Sequence, residues 1–188
     1  MQFGKGILPA KEYLSNGLFS IQNCYSEAES SFNQQLHFHD FYELSLIYEG
    51  SSRFLINGSS FVAAAGSLQL IRPSDYHRQM TDTGEYIRYY NLIFRQEVLS
   101  NVLLDALEEV VEPFCFQMQE KEMQKMTQLL LELKREQEEK EAFWEKMSAD
   151  LIEKICILIL RKSPKKRQAK EEEIPEAVRR SLVFVRQH

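Results

Sequence analysis

Between Leu18 and Phe94, apolar and polar positions alternate with a period near two, the pattern of strands that bury one face. Leu18 to Cys24 suits a first strand, and the aromatic-rich run from Leu36 to Tyr48 suits a longer second one. Gly50-Ser51-Ser52 reads as a turn into a strand from Arg53 to Ile56. Asn57-Gly58 predicts a two-residue hairpin, because both central residues of a type I′ turn need positive φ. Ser60 to Ala64 pairs back, Gly66 turns, Leu68 to Ile71 runs out until Pro73, and Glu85 to Phe94 is the last long strand. Short strands punctuated at this interval predict a sandwich or a small barrel.

Near Arg95 the period becomes helical. Val98, Val102, Leu103, Ala106 and Leu107 recur at helical spacing before Pro113 breaks the segment. Met123, Met126, Leu129, Leu130 and Leu133 make an apolar stripe within Gln119 to Glu139. Phe143, Met147, Leu151, Ile155 and Leu158 make another within Glu141 to Arg161, with Trp144, Ile152 and Ile159 beside it. The two stripes predict an antiparallel helical hairpin on the barrel wall. The second is apolar over so wide an arc that one side meets either more of its own core or another subunit. Residues 162–173 mix charges without large apolar groups, which suits a solvated linker better than a nucleic-acid patch at Lys165-Lys166-Arg167. Residues 174–188 restart a helix, with Pro175 in its first turn and Ala177, Val178, Leu182 and Val185 on one face. Residues 1–17 carry Gly4, Gly6, Pro9 and Gly17 without a period and read as an arm, either a loose terminus or a cover over a pocket.

Composition narrows the function classes. A chain of 188 residues with 44% hydrophobic and 27% charged residues is ordinary for a soluble domain with a real core. A net charge of −5 argues against the chain as a whole acting as an electrostatic nucleic-acid binder, so DNA contact requires a local feature or further sequence. Cys24, Cys115 and Cys156 are scattered and fit no ligand or redox motif, which suits reduced thiols and a cytoplasmic setting. The longest apolar run, Ile155 to Leu160, is too short to span a bilayer, and the N-terminus lacks a signal-peptide core, so no membrane partner is expected.

If Leu36 to Tyr48 is extended, His37, His39, Phe41, Glu43 and Ser45 share one face, while Tyr42, Leu44, Leu46 and Tyr48 share the other. Two imidazoles and a carboxylate suit a cavity wall better than a dry core. Arg53, Gln69, His77 and Tyr90 complete the candidate ligand-binding set. His37, His39, Glu43 and His77 offer three imidazoles and one carboxylate, a donor set for zinc, nickel, iron or manganese. The alternative is a polar wall whose imidazoles hydrogen-bond one another, the carboxylate or a ligand. No nucleophile elbow, CxxC pair or phosphate loop accompanies them, so no enzyme is expected. Aromatic faces with convergent polar groups suit a sugar or another small polar metabolite.

The spacing His37-x-His39-x3-Glu43-x6-Gly50 resembles the first cupin motif, and Gly66 through Pro73 to His77 resembles the second. Ser31 and Ser74 stand where many cupins carry glycine. The run from His37 through Gly50, Phe54-Leu55-Ile56-Asn57-Gly58 and Gly66 to His77 more narrowly resembles the sensor domain of AraC-type transcriptional regulators. That resemblance implies a cupin-type double-stranded β-helix (a jelly-roll-like barrel) over residues 18–96, then an antiparallel helical hairpin in a dimerisation segment over 97–161. It also implies a linker and the opening helix of a helix-turn-helix unit from residue 174. The function it implies is a homodimeric regulator that binds a small-molecule effector and contacts DNA through its helix-turn-helix region. A metal-dependent cupin enzyme and a stand-alone binding module are the alternatives.

Overall fold

The computed structural model describes residues 8–14, 17–27, 32–33, 35–73 and 75–163. The expected helix at 174–188 and nearly all of the expected linker lie outside the described residues, as does the start of the arm. The described arm holds a short helix, α1 (Ala10–Leu14), which buries Ala10 and Leu14 against Phe41. Eight strands follow: β1 (Phe19–Glu27), β2 (Phe32–Asn33), β3 (Tyr42–Ile56), β4 (Ser59–Ala64), β5 (Ser67–Ile71), β6 (His77–Thr81), β7 (Tyr86–Phe94) and β8 (Phe114–Gln117). All named pairings are antiparallel.

β3 is the spine. Its first half pairs with β5 and β7, and its second half pairs with β4 and β6. This corrects the expected turn at Gly50-Ser51-Ser52. The strand bends there without breaking, through a register shift between Ile47 and Glu49 and a positive φ of 77° at Gly50. A Cβ at Gly50 would sit 1.9 Å from the Tyr86 carbonyl oxygen, so only glycine lets the two backbones approach this closely. The Asn57-Gly58 hairpin has the expected positive φ values, 50° and 84°. β6 and β8 were not expected. His77-Arg78-Gln79-Met80-Thr81 is too polar to announce a strand, and Phe114–Gln117 is a four-residue edge following a proline.

Three helices cover one wall: α2 (Asn101–Glu108), α3 (Glu120–Glu139) and α4 (Trp144–Lys162), with a 3-10 turn at Gln96–Val98. The α3–α4 hairpin is antiparallel. Lys162 at its end reaches the Glu122 carboxylate at the start of α3, at 2.6 Å. Met126, Leu129, Leu130 and Leu133 of α3 and Leu151, Ile152, Ile155 and Ile159 of α4 are buried, so the wide apolar arc of α4 belongs to its own core. Phe143 and Met147, expected on that face, are instead exposed. The main core lies between these helices and the outer face of the sheet, where Tyr42, Leu44, Leu46, Leu68, Leu70, Leu92 and Phe94 point. Gln137 of α3 completes the edge of β1: its amide accepts from the Ile21 N–H at 2.8 Å and donates to the Ile21 carbonyl at 3.1 Å. The barrel interior keeps a smaller apolar cluster of Ile47, Phe54, Ala63 and Ile87 and otherwise gathers polar groups.

Candidate functional site

His37 and His39 lie just before β3 rather than within it. Single bridges hold the segment extended: His37 exchanges backbone hydrogen bonds with His77 at 3.1 and 2.8 Å, and His39 bridges Leu8 of the arm. The extended backbone keeps the alternation that the sequence suggests, so both rings turn toward the interior together with Glu43. The His37 and His77 ring centroids lie 4.3 Å apart, and those of His39 and His77 lie 5.0 Å apart. Phe41 stacks on His39 at 4.0 Å and meets Tyr13 of α1 at 5.5 Å.

Glu43 is the electrostatic centre. Its Oε2 lies 3.2 Å from His39 Nε2 and 3.5 Å from His77 Nε2. Burial pushes the Glu43 carboxyl up, but hydrogen bonds from His39 and His77 outweigh it and hold the group well below the usual carboxylate range. Burial lowers the His37 pKa, only partly offset by the hydrogen bond to the Gln35 carbonyl. The Tyr89 hydroxyl and the Cys24 thiol, which touch each other, are both raised by burial.

The tautomers test whether this donor set fits a metal. His39 Nδ1 lies 2.7 Å from the Phe41 carbonyl, which can only accept, so Nδ1 carries the proton. His37 Nδ1 is fixed likewise on the Gln35 carbonyl at 2.8 Å. With Nδ1 so engaged, Nε2 of each ring faces inward and has two states: carrying a second proton, as His39 does when it donates to Glu43, or bare, offering a lone pair oriented by its outer backbone partner, as in metal-ligating histidines. His39 Nε2 faces a carboxylate oxygen, and two lone pairs at that distance need a proton or a cation between them. The ligand atoms of His39, Glu43 and His77 lie within 4.8 Å of one another. The residues fit a divalent metal with Nε2, Oε2 and Nε2 as ligands.

Above this cluster lies a cavity of about 470 Å³. Its polar wall includes Ser20, Gln22, Gln35, His37, His39 and Glu43, with Asn91 from β7, and its apolar wall includes Phe41 and Ile93. Leu8 and Tyr13 of the arm form part of its rim. Below it, a smaller chamber takes in Ser45, Gln69 and His77. The structure thus brings together seven of the nine candidate positions: His37, His39, Phe41, Glu43, Ser45, Gln69 and His77.

Two candidates lie elsewhere. Arg53 is on the outer face, paired with Asp82 at 2.7 Å, because the shift near Tyr48 and the bend at Gly50 reset the parity of β3. Tyr90 faces the helices beside Tyr48, since on β7 the odd positions Tyr89, Asn91 and Ile93 point inward. Those three, with Ser20 and Gln22 of β1, were missed. The alternation of Ser20 and Gln22 with Phe19 and Ile21, and the lone Asn91 between Tyr90 and Leu92, were the available signals.

The family profile described as the AraC-like ligand binding domain matches residues 24–155. Comparison with curated proteins finds no match. Among solved structures, apo ToxT K231A from Vibrio cholerae aligns with a TM-score of 0.50 at 11% identity, covering 73% of this chain and 54% of that one. The plu4264 protein of Photorhabdus luminescens is 25% identical over 50% of this chain and 76% of its own, with a TM-score of 0.37. A Cupin 2 conserved barrel domain protein from Salinispora arenicola is 20% identical over 44% and 67% of the two chains, with a TM-score of 0.38. The antiparallel strands and the α3–α4 pair described above make the fold a cupin-type barrel followed by a helical hairpin.

Proposed function

Because the chain belongs to the family of AraC-like ligand binding domains, we propose that it is the effector-sensing part of a cytoplasmic transcriptional regulator and that its effector is a small polar molecule such as a sugar. The observation that carries this reading is the cavity of about 470 Å³, a volume within the usual range of ligand sites, lined by the polar groups around Glu43 and by the aromatic rings of Phe41 and Tyr13. The arm contributes to its rim, so an effector touching Tyr13 or Leu8 binds better when α1 is seated. That differential affinity is what shifts a population. Dimerisation through the outward faces of α3 and α4, where Leu131, Met147 and Ile157 are partly exposed, carries the change to DNA-binding units that begin near residue 174. No helix among the described residues is long and apolar enough to cross a membrane.

The test is a thermal-shift screen of small polar metabolites against the wild type and Glu43→Ala. A metabolite should raise the wild-type melting temperature, and the shift should shrink in the variant. Equal shifts in both proteins would remove Glu43 from the site, and a chain that no polar metabolite stabilises would count against the sensing role.

A second reading rests on the fixed tautomers of His37 and His39: a divalent metal held by His39, Glu43 and His77, with His37 beside it. Bound there, a metal supplies Lewis acidity or an anchor for an effector oxygen. Elemental analysis of protein purified without chelators checks this. Near-stoichiometric zinc, nickel, iron or manganese, lost on His39→Ala, supports it, and metal-free protein that still responds to effector refutes it.

A further inference from the structure

Beneath the Glu43 cluster the interior continues into a chamber of about 50 Å³, separated from the main cavity by residues that line both, His37, Glu43 and Tyr89. Its polar lining is Ser45, Gln69, His77 and Gln79, each less than a tenth exposed. Gln69 is 1% exposed, yet its Nε2 has no hydrogen-bond partner among the described residues, and neither has Nδ1 of the buried His77. Buried polar groups are seldom left unpaired, so these atoms call for a partner that the described residues do not supply. The antiparallel register sets Asn91 opposite Ser45 and Ser45 opposite Gln69, a polar row across β7, β3 and β5. The Asn91 Oδ1 at the other end of that row, on the side of the main cavity, is also buried without a partner among the described residues.

We propose that this inner chamber is a specificity subsite that takes an uncharged, hydroxyl-bearing end of the effector. The inference deepens the sensing role proposed above and rests on it. The chamber itself presents an unpaired amide donor, Gln69 Nε2, beside His77 Nδ1 and the Ser45 hydroxyl, groups that either donate or accept, and this set matches a hydroxyl, which donates and accepts through one atom. A carboxylate or phosphate only accepts. Such an anion would also find no lysine or arginine among the residues lining either space, and would approach Glu43, whose two imidazole neighbours are already engaged. The chamber exceeds the ~30 Å³ that one water occupies in the liquid, room for a hydroxymethyl-sized group but not for a ring.

The test follows the Gln69 side-chain amide by NMR in the ¹⁵N-labelled 188-residue chain, titrated with glycerol and neutral aldoses and, in parallel, with glycerate and the matching uronic acids. Neutral probes should shift the Gln69 Nε2 signals saturably, while the anions, which exchange CH2OH for COO−, should not. Gln69→Leu should weaken the neutral probes about tenfold when read at the Asn91 amide, roughly the loss of one buried hydrogen bond. The wild-type titration decides the matter even if the variant fails to fold. Glycerate or a uronate binding as tightly as its neutral counterpart overturns the uncharged class. A response at Asn91 with Gln69 silent overturns the subsite while leaving the sensing role intact. Silence at both positions for every probe removes both.

Discussion

Replacing Asp75 by alanine should be among the most damaging single changes outside the apolar core. Asp75 and Arg72 are 1% and 6% exposed. The carboxylate accepts from Arg72 Nε and Nη2 at 3.0 Å each, from the Arg72 backbone N–H at 3.0 Å and from Asn57 Nδ2 at 2.6 Å. The same guanidinium donates to the Leu107 and Val110 carbonyls at the end of α2 and lies 5.3 Å over the Phe114 ring. One ion pair therefore ties the loop before His77, the β3–β4 hairpin and the helical flank together. Asp75→Ala leaves a buried guanidinium without its counter-charge, which costs about 3–5 kcal/mol. At roughly 2–4 °C per kcal/mol for a chain of this length, the melting temperature should fall by about 6–20 °C. Circular-dichroism melts and urea titration measure it. Asp82→Ala is the control: it breaks the half-exposed Arg53 pair and should cost less than about 1 kcal/mol. In Arg72→Met with Asp75→Leu most of the loss should return, but not all, because the Leu107 and Val110 carbonyls still lack their donor. An Asp75→Ala protein within about 1 kcal/mol of wild type would refute the reasoning.

Acid should destabilise the fold, with a sign fixed by two lowered pKa values. The His37 contribution is complete above the ordinary 6.5 and fades as pH falls through its lower folded value. That of Glu43 is complete above 4.5 and is lost further down, so a melting temperature that rises between pH 7 and 3 contradicts both. Gly50→Ala should cost at least about 2 kcal/mol by denaturant titration, since its φ of 77° and the Tyr86 carbonyl both exclude a side chain; a neutral substitution would mean the bend can relax. Leu130→Ala, at a position with no exposure between α3 and the sheet, should cost about 2–5 kcal/mol in the same assay, and a loss below 1 kcal/mol would mean the hairpin is loosely packed. Met147→Glu with Ile157→Glu should turn a dimer into a monomer by light scattering while leaving the melting temperature nearly unchanged; a wild type that is already monomeric ends the dimer proposal.

The sequence displayed its regular elements through periodicity, and these recur in the fold: the Asn57-Gly58 hairpin, β4, β5, β7 and the α3–α4 pair. What it concealed depends on pairing that no local pattern encodes. β6 is recognisable only beside β3, and β8 only beside β5. Parity arguments succeeded where a strand runs straight and failed past a bulge. From Glu43 to Ser45 alternation put the right side chains inward, whereas beyond the shift at Ile47 and Glu49 it misplaced Arg53. Tyr90 failed for another reason: an aromatic fits either face of a half-buried strand, and only the register Asn91–Ser45 fixes which face of β7 looks inward. Arg72 and Asp75, three residues apart on either side of the Pro73 where the strand was expected to end, gave no hint of their joint burial, which depends on α2 arriving some thirty-five residues later.

The same geometry explains how a barrel can hold so much polarity without losing its stability. Here the largest apolar cluster joins the outer face of β1, β3, β5 and β7 to α3 and α4, and the interior keeps a smaller one of Ile47, Phe54, Ala63 and Ile87 at the far end. Helix-to-sheet packing supplies the hydrophobic stabilisation, so Glu43, Gln69 and the three histidines are free to be chosen for what they bind. Stability and recognition should therefore separate in mutants. Glu43→Ala relieves one carboxylate of burial and removes a hydrogen-bond acceptor from two imidazoles, effects of opposite sign, so its melting temperature should stay much closer to wild type than that of Leu130→Ala. Its response to effector should suffer far more. A Glu43→Ala chain that unfolds as readily as Leu130→Ala would show that the interior cluster is part of the scaffold, and the separation would fail.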